Sequence, residues 1–130
     1  MNILLVDDEP LELEQLKWLL HHRYPQWKYY TAIDAIQALK ISNETDIQLS
    51  FIDIHLPGHS GFELMKEFRS QNKEIGMIIV SAYQKFDYAK ESLRLGVFDY
   101  IVKPIIEEEL YQTVDQYLHN HPEKKTIHLL

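Results

Sequence analysis

Hydrophobic positions along this chain follow two rhythms. Short aliphatic runs that end in a polar or charged residue alternate with longer stretches in which apolar residues recur every three or four positions. The runs 2–7, 27–31, 47–53, 76–81 and 99–102 read as strands. Between them, Leu13, Leu16 and Leu20 form a helical stripe from Leu11 to about His22. Pro10 sits where a first helical turn tolerates it, and Pro25 closes the helix. Ile33, Ile36 and Leu39 predict the buried face of a second helix ending near Asn43. Ser60 is placed to cap a third, in which Leu64 and Phe68 stack beside Phe62 and Met65. The segment 86–95 predicts a fourth helix, stopped by Gly96, a natural occupant of the left-handed position after a helix end. Leu110, Val114 and Tyr117 mark a fifth, with Glu107, Glu108 and Glu109 in the first turn, where the helix dipole favours negative charge.

Five strands alternating with five helices predict an α/β domain: a doubly wound parallel sheet with helices on both faces and right-handed crossovers. The third run supports this, since it is apolar on both faces apart from Gln48 and Ser50, as a strand covered on each side must be. Trp18 and Trp27 are expected to be partial core. A chain of 130 residues fits one domain of ordinary size. That domain is expected to span residues 1–120. Beyond it the chain turns polar through Pro122 to Lys125 and ends on Ile127–Leu130, which reads as the start of a linker at 121–130 toward a further domain.

Composition narrows the chemistry. The absence of cysteine excludes disulfides, thiolate zinc sites and cysteine nucleophiles, so any reaction must use oxygen and nitrogen side chains. A formal charge of −7 argues against this segment tracking a phosphate backbone, which needs clustered Lys and Arg. An acidic domain is better suited to cations or a basic protein surface. No apolar run approaches the ~20 residues needed to cross a bilayer, so no membrane partner is expected and the chain reads as cytoplasmic.

In an open α/β sheet, ligands bind outside the carboxyl ends of the strands. Here those ends carry Asp7 and Asp8, Asp53, Ser81 and Lys103. Any one of these acids is accounted for as a helix cap. Together they bring three carboxylates close, and these repel one another unless a cation offsets them. Magnesium is the usual partner for a few carboxylates plus phosphate oxygens. Given such an ion, Asp53 is a candidate nucleophile toward phosphorus, Lys103 a positive charge for the phosphoryl oxygens, and Ser81 a hydroxyl donor.

These residues lie in the stretches LLVDDEP, IDIHLPGHSGFEL, IIVSAY and LGVFDYIVKPI. In that order and spacing the chain resembles the CheY-like receiver domains of bacterial two-component response regulators, from Asn2 to about Leu118. The resemblance implies a flavodoxin-like sheet of order 2-1-3-4-5. It also implies phosphorylation of Asp53 by a sensor histidine kinase, with Mg2+ held by Asp7 or Asp8, Asp53 and the backbone carbonyl of His55. By the same resemblance Ser81 and Tyr100 are switch residues, Lys103 pairs with the phosphoryl group, and Lys103-Pro104 is a cis peptide. The run from Ser81 to Ile105 looks most like receivers that carry an AraC-like (YesN-type) helix-turn-helix output, so DNA would be reached only through a domain outside this chain. Homodimerisation through the fourth helix, fifth strand and fifth helix is expected, with Tyr83, Phe86 and Tyr88 as a candidate aromatic patch. Ordinary packing against the sheet is an equally good account of Phe86.

Two other classes fit less well. A magnesium-dependent phosphatase with an aspartate nucleophile usually needs a second acid two residues on, where this chain has His55. A flavin module of this architecture needs a Gly and Ser/Thr-rich phosphate loop after the first strand, where this chain has DDEP. Magnesium prefers oxygen, so the His55 imidazole is expected to tune access of water, not to bind the ion. His21, His22, His119 and His121 read as solvated residues near helix ends.

Overall fold

The structure, a computed structural model, describes residues 1–71 and 73–126. Five parallel strands, β1 (Asn2–Val6), β2 (Lys28–Ala32), β3 (Leu49–Ile52), β4 (Gly76–Ser81) and β5 (Asp99–Val102), form one sheet of order β2-β1-β3-β4-β5. The helices are α1 (Pro10–Arg23), α2 (Ala35–Glu44), α3 (Gly61–Ser70), α4 (Phe86–Leu95), α5 (Glu107–Asn120) and α6 (Pro122–Thr126). The expected doubly wound α/β sheet is therefore present, with six helices in place of five.

Period-two alternation divides the core into two layers. Ile3, Leu5, Phe51, Ile78, Val80 and Ile101 pack with Leu13, Leu16 and Leu20 of α1 and Leu110, Val114 and Tyr117 of α5. Leu4, Val6, Ile52, Met77 and Ile79 face the other way, onto Ala38 of α2 and Leu64, Met65 and Phe68 of α3. Adjacent strand residues point to opposite faces, so a strand buried on both sides must be apolar throughout. Ser50 in β3 is an exception, and its hydroxyl donates to the Gly76 carbonyl at 2.8 Å, which offsets the cost of burying it.

Local signals at Ser60 and Gly96 set their helix ends as expected. The Ser60 hydroxyl accepts from Glu63 N at 3.2 Å, and the structure adds an Asp34 cap on α2, accepting from Gln37 N at 2.8 Å. Gly96 ends α4 in the left-handed conformation, at φ 71°.

Three expectations are corrected. The buried stripe of α2 is Ala35, Ala38 and Ser42 with Leu39 beside it, whereas Ile36 is 69% exposed and Ile33 is also at the surface. Positions 35, 38, 39 and 42 keep the helical spacing, but small side chains occupy it, and these let the helix approach the sheet more closely than isoleucines would. Trp18 is 63% exposed and stacks on His22 instead of entering the core, while Trp27 is buried as expected. His121 is half-buried, not solvated: its ring stacks on Tyr117 with centroids 4.1 Å apart.

Residues 122–126 form the short α6, held by Lys124, whose Nζ donates to Gln48 O at 2.9 Å, Glu74 O at 3.2 Å and the Tyr117 hydroxyl at 2.5 Å. The chain end 127–130, part of the expected linker, lies outside the described residues. Among the described residues no helix is long and apolar enough to cross a membrane.

Candidate functional site

Register brings the acids together. β1 pairs with β3 so that Val6 lies opposite Ile52, and the next residues, Asp7 and Asp53, leave the sheet side by side. Ladder bonding continues one step past each strand, Asp7 N to Ala32 O at 3.1 Å and Asp53 N to Val6 O at 2.9 Å, so both buried carboxylates stand on fixed backbone. Across the sheet Ser81 pairs with Val102, and Lys103 N donates to Ser81 O at 2.8 Å. The Lys103-Pro104 peptide is cis, as the resemblance implies.

Lys103 closes the cluster. Its Nζ donates to Asp7 Oδ2 at 2.7 Å, to Asp53 Oδ2 at 3.0 Å and to the Glu12 carboxylate. Burial alone would lower the ammonium pKa, but these three hydrogen bonds outweigh it and hold the group well above the ordinary lysine range. Burial has the upper hand at Glu12, whose carboxyl is raised despite Lys103. Asp7, Glu12 and Asp53 each present an oxygen within 4.8 Å of the others. An all-oxygen donor set of this kind fits a hard divalent cation.

Asp8 is exposed and is not drawn into this trio. Glu12 takes the third place, a residue that strand-end reasoning missed because it lies in the first turn of α1. The available signal was its spacing: a helix that begins at Pro10, directly after the strand-end acids, keeps its first turn beside them.

The loop after β3 is packed tightly around Asp53. His55 N donates to Asp53 Oδ1 at 3.3 Å, and Gly61 N donates to Ile54 O at 2.7 Å. A Cβ at Gly61 would fall 2.2 Å from the Asp53 carbonyl oxygen, so only glycine permits this approach. The His55 ring lies 4.1 Å from the Tyr83 ring, and its Nε2 is 3.2 Å from the Tyr88 hydroxyl. It thus links the β3–α3 loop to the β4–α4 loop and α4.

Ser81 is fully buried, and its Oγ accepts from Tyr83 N at 3.3 Å. The half-buried Tyr100 donates its hydroxyl to the Tyr83 carbonyl. Burial raises its phenol pKa, an effect partly countered by Ser81 beside it. Of the aromatic patch, Phe86 is 78% exposed, which overturns the packing account of that residue; Tyr83 is also exposed, and Tyr88 turns inward onto Phe62.

Two strand-end aspartates and Glu12 of α1, linked by Lys103 on a flavodoxin-like sheet, form an acidic cluster that could hold a cation. The response regulator receiver domain family matches residues 3–115, and the chain belongs to it. That family is one of phosphoacceptor signalling domains, not of catalytic enzymes, and its members bind Mg2+ at an acidic pocket and are phosphorylated by histidine kinases. The transcriptional regulatory protein MalR of Bacillus subtilis is 36% identical over 123 residues, covering 87% of this chain and 48% of its own length. The chain spans about half the length of the first curated relatives it matches. Among solved structures, a CheY-like receiver domain from Methanospirillum hungatei superposes with a TM-score of 0.85 at 25% identity, covering 95% of this chain and 97% of that one. Response regulator protein TrrA from Thermotoga maritima, in complex with Mg2+ and BeF, gives 0.76 at 32% identity, covering 88% and 96%.

Proposed function

We propose that this domain accepts a phosphoryl group on Asp53 from a sensor histidine kinase in a Mg2+-dependent reaction and thereby controls an output. The observation that carries this reading is the single ammonium of Lys103 bonded to both Asp7 and Asp53. It holds two buried carboxylates in one orientation and supplies positive charge where phosphoryl oxygens would gather. In the transfer, an Asp53 carboxylate oxygen bonds to phosphorus while the bond from phosphorus to the kinase histidine nitrogen breaks. That nitrogen takes the electron pair and departs as neutral imidazole, its ring's other nitrogen carrying the proton. Bound Mg2+ would offset negative charge on the phosphoryl group, and Asp7, Asp53 and the His55 carbonyl, with Asp8 at the rim, are the oxygens proposed to hold it. Most of the catalysis in such a transfer is alignment and charge neutralisation, which a rigid strand-end cluster supplies.

Phosphorylation adds nearly two negative charges. Ser81 is proposed to turn toward them, releasing Tyr83, and Tyr100 to exchange its bond to the Tyr83 carbonyl for the space vacated. The surface altered is α4, β5 and α5, where a groove of about 350 Å³ is lined by Ala89, Leu93, Tyr100 and Val102, and where homodimerisation is proposed. Output is proposed to be transcriptional, through a domain following a linker that begins near residue 121, with DNA bound only by that domain and the whole acting in the cytoplasm. A relative named as a transcriptional regulatory protein, MalR, matched over 48% of its length, supports this. The AraC-like output type rests on the Ser81–Ile105 run alone.

Incubation with acetyl phosphate and Mg2+ should add one phosphoryl group to the wild type and none to Asp53→Asn, read by intact-protein mass. Equal incorporation in both would overturn the assignment of Asp53.

A further inference from the structure

Glu12 has no part in the mechanism above, yet it is bonded to the group at the centre of the site. An ammonium has three N–H donors, and here each goes to a different carboxylate. The three partners are not equivalent. The side chains of Asp7 and Asp53 are about one-tenth exposed (9% and 11%), whereas that of Glu12 is 35% exposed, so it bonds Lys103 from the solvent side.

This creates a conflict that Glu12 can resolve. A divalent cation on Asp7 and Asp53 competes for carboxylates whose Oδ2 atoms Lys103 now bonds, and the two cations repel at short range. Without another acceptor, the displaced ammonium would be left unpaired in a largely buried place, which is costly. Glu12 is the acceptor already in contact, and as the most exposed of the three carboxylates it can keep the ammonium while the ion takes Asp7 and Asp53. A cavity of about 90 Å³ lined by Glu12, Leu16, Phe51, Lys103 and Pro104 runs beside it, leaving the lysine room to shift without repacking the core.

We propose that Glu12 is a positioning residue for Lys103. It keeps the ammonium at the rim of the site when a divalent cation occupies Asp7 and Asp53, and so holds it ready for phosphoryl oxygens arriving on Asp53. This rests on the assignment of Asp7 and Asp53 to the metal given above.

Calorimetric titration with Mg2+ of the wild type, Glu12→Gln, Lys103→Met and the double variant tests it. Glu12→Gln should weaken Mg2+ binding roughly three- to tenfold, the scale of one partly exposed ionic contact. In the Lys103→Met background the same change should cost less than about twofold, because the residue through which Glu12 acts is gone. An equal loss in both backgrounds would show Glu12 acting on the ion directly, and no loss in either would show it idle; both overturn the inference while leaving the site assignment standing. A wild type that binds no Mg2+ overturns that assignment, and the inference with it. A second measurement avoids Lys103 variants, whose folding is less assured. Trace acetylation of Lys103 in Mg2+-saturated protein, read by peptide mass, should proceed about threefold faster in Glu12→Gln than in the wild type. Equal rates would also overturn it.

Discussion

At the scale of single residues, two positions around Asp53 show how the site depends on neighbours that perform no chemistry. Gly61 approaches the Asp53 carbonyl so closely that a methyl group has nowhere to go, and the obstacle is backbone, which cannot swing aside. Gly61→Ala is expected to lose about 1–3 kcal/mol in chemical unfolding, the usual scale of overpacking. It should also slow acetyl phosphate incorporation markedly, because the shift needed falls on the loop that aims the nucleophile. His55 stands beside Asp53 with its ring held by Tyr83 and Tyr88. Removing it in His55→Ala is expected to open the approach of water and shorten the phosphorylated lifetime severalfold, followed by loss of label. An unchanged lifetime would leave only the backbone at that position relevant.

At the scale of elements, α4 and α6 stand apart from the rest. In α4 only Ser92 is buried, while Phe86 and Leu93 face solvent, so little apolar burial holds this helix to the sheet. Regions with few buried contacts open first, and α4 amides should exchange with solvent faster than those of α3 and α5. That weakness suits an element whose position is to be switched. Five residues are too few for an autonomous helix, so α6 depends on its anchors. Lys124 supplies three of them, to Gln48 O, Glu74 O and the Tyr117 hydroxyl. Lys124→Ala is expected to release residues 122–126 in hydrogen exchange while changing global stability by only about 1 kcal/mol.

At the scale of the whole molecule, ionisation sets an alkaline limit on stability. Burial raises the phenol pKa of Tyr24 and Tyr29 well above the ordinary 10.0 and that of Tyr117 to about 12, and carboxylate hydrogen bonds raise Lys103 from 10.5. In every case the folded chain holds its proton more tightly than the unfolded chain. The stability tied to these groups is therefore complete below about pH 10 and is lost as pH rises through the folded values. The urea midpoint should fall as pH rises above about pH 10, with the lowered ammonium of Lys124 opposing the fall only up to its ordinary 10.5. Tyr117→Phe should make that fall shallower, although it lowers the starting midpoint by removing an acceptor of Lys124. Net charge belongs to this scale as well: at −7 the domain is poorly suited to hold nucleic acid, which fits the proposal that DNA is bound by a different domain.

How much of this was legible in the sequence varies from element to element. The strand runs, the caps at Ser60 and Gly96, and the buried stripe of α1 follow from local rules, because periodicity and backbone preference act within a few residues of chain. The grouping of Asp7, Asp53, Ser81 and Lys103 was also readable, since strands joined by helical crossovers run parallel and place every carboxyl end on the same side of the sheet. Tertiary structure decided the rest. Which face of α2 is buried depended on how closely a helix can approach the sheet, and small side chains won over the isoleucines. Trp18 remains outside because the stripe of α1 was already filled by leucines. Glu12 joined the cluster because the entry angle of α1 carried its carboxylate back over the strand ends, and Lys124 reached the far end of the sheet only once α5 had docked. Such contacts join residues dozens of positions apart, so they are fixed by packing, not by any local pattern.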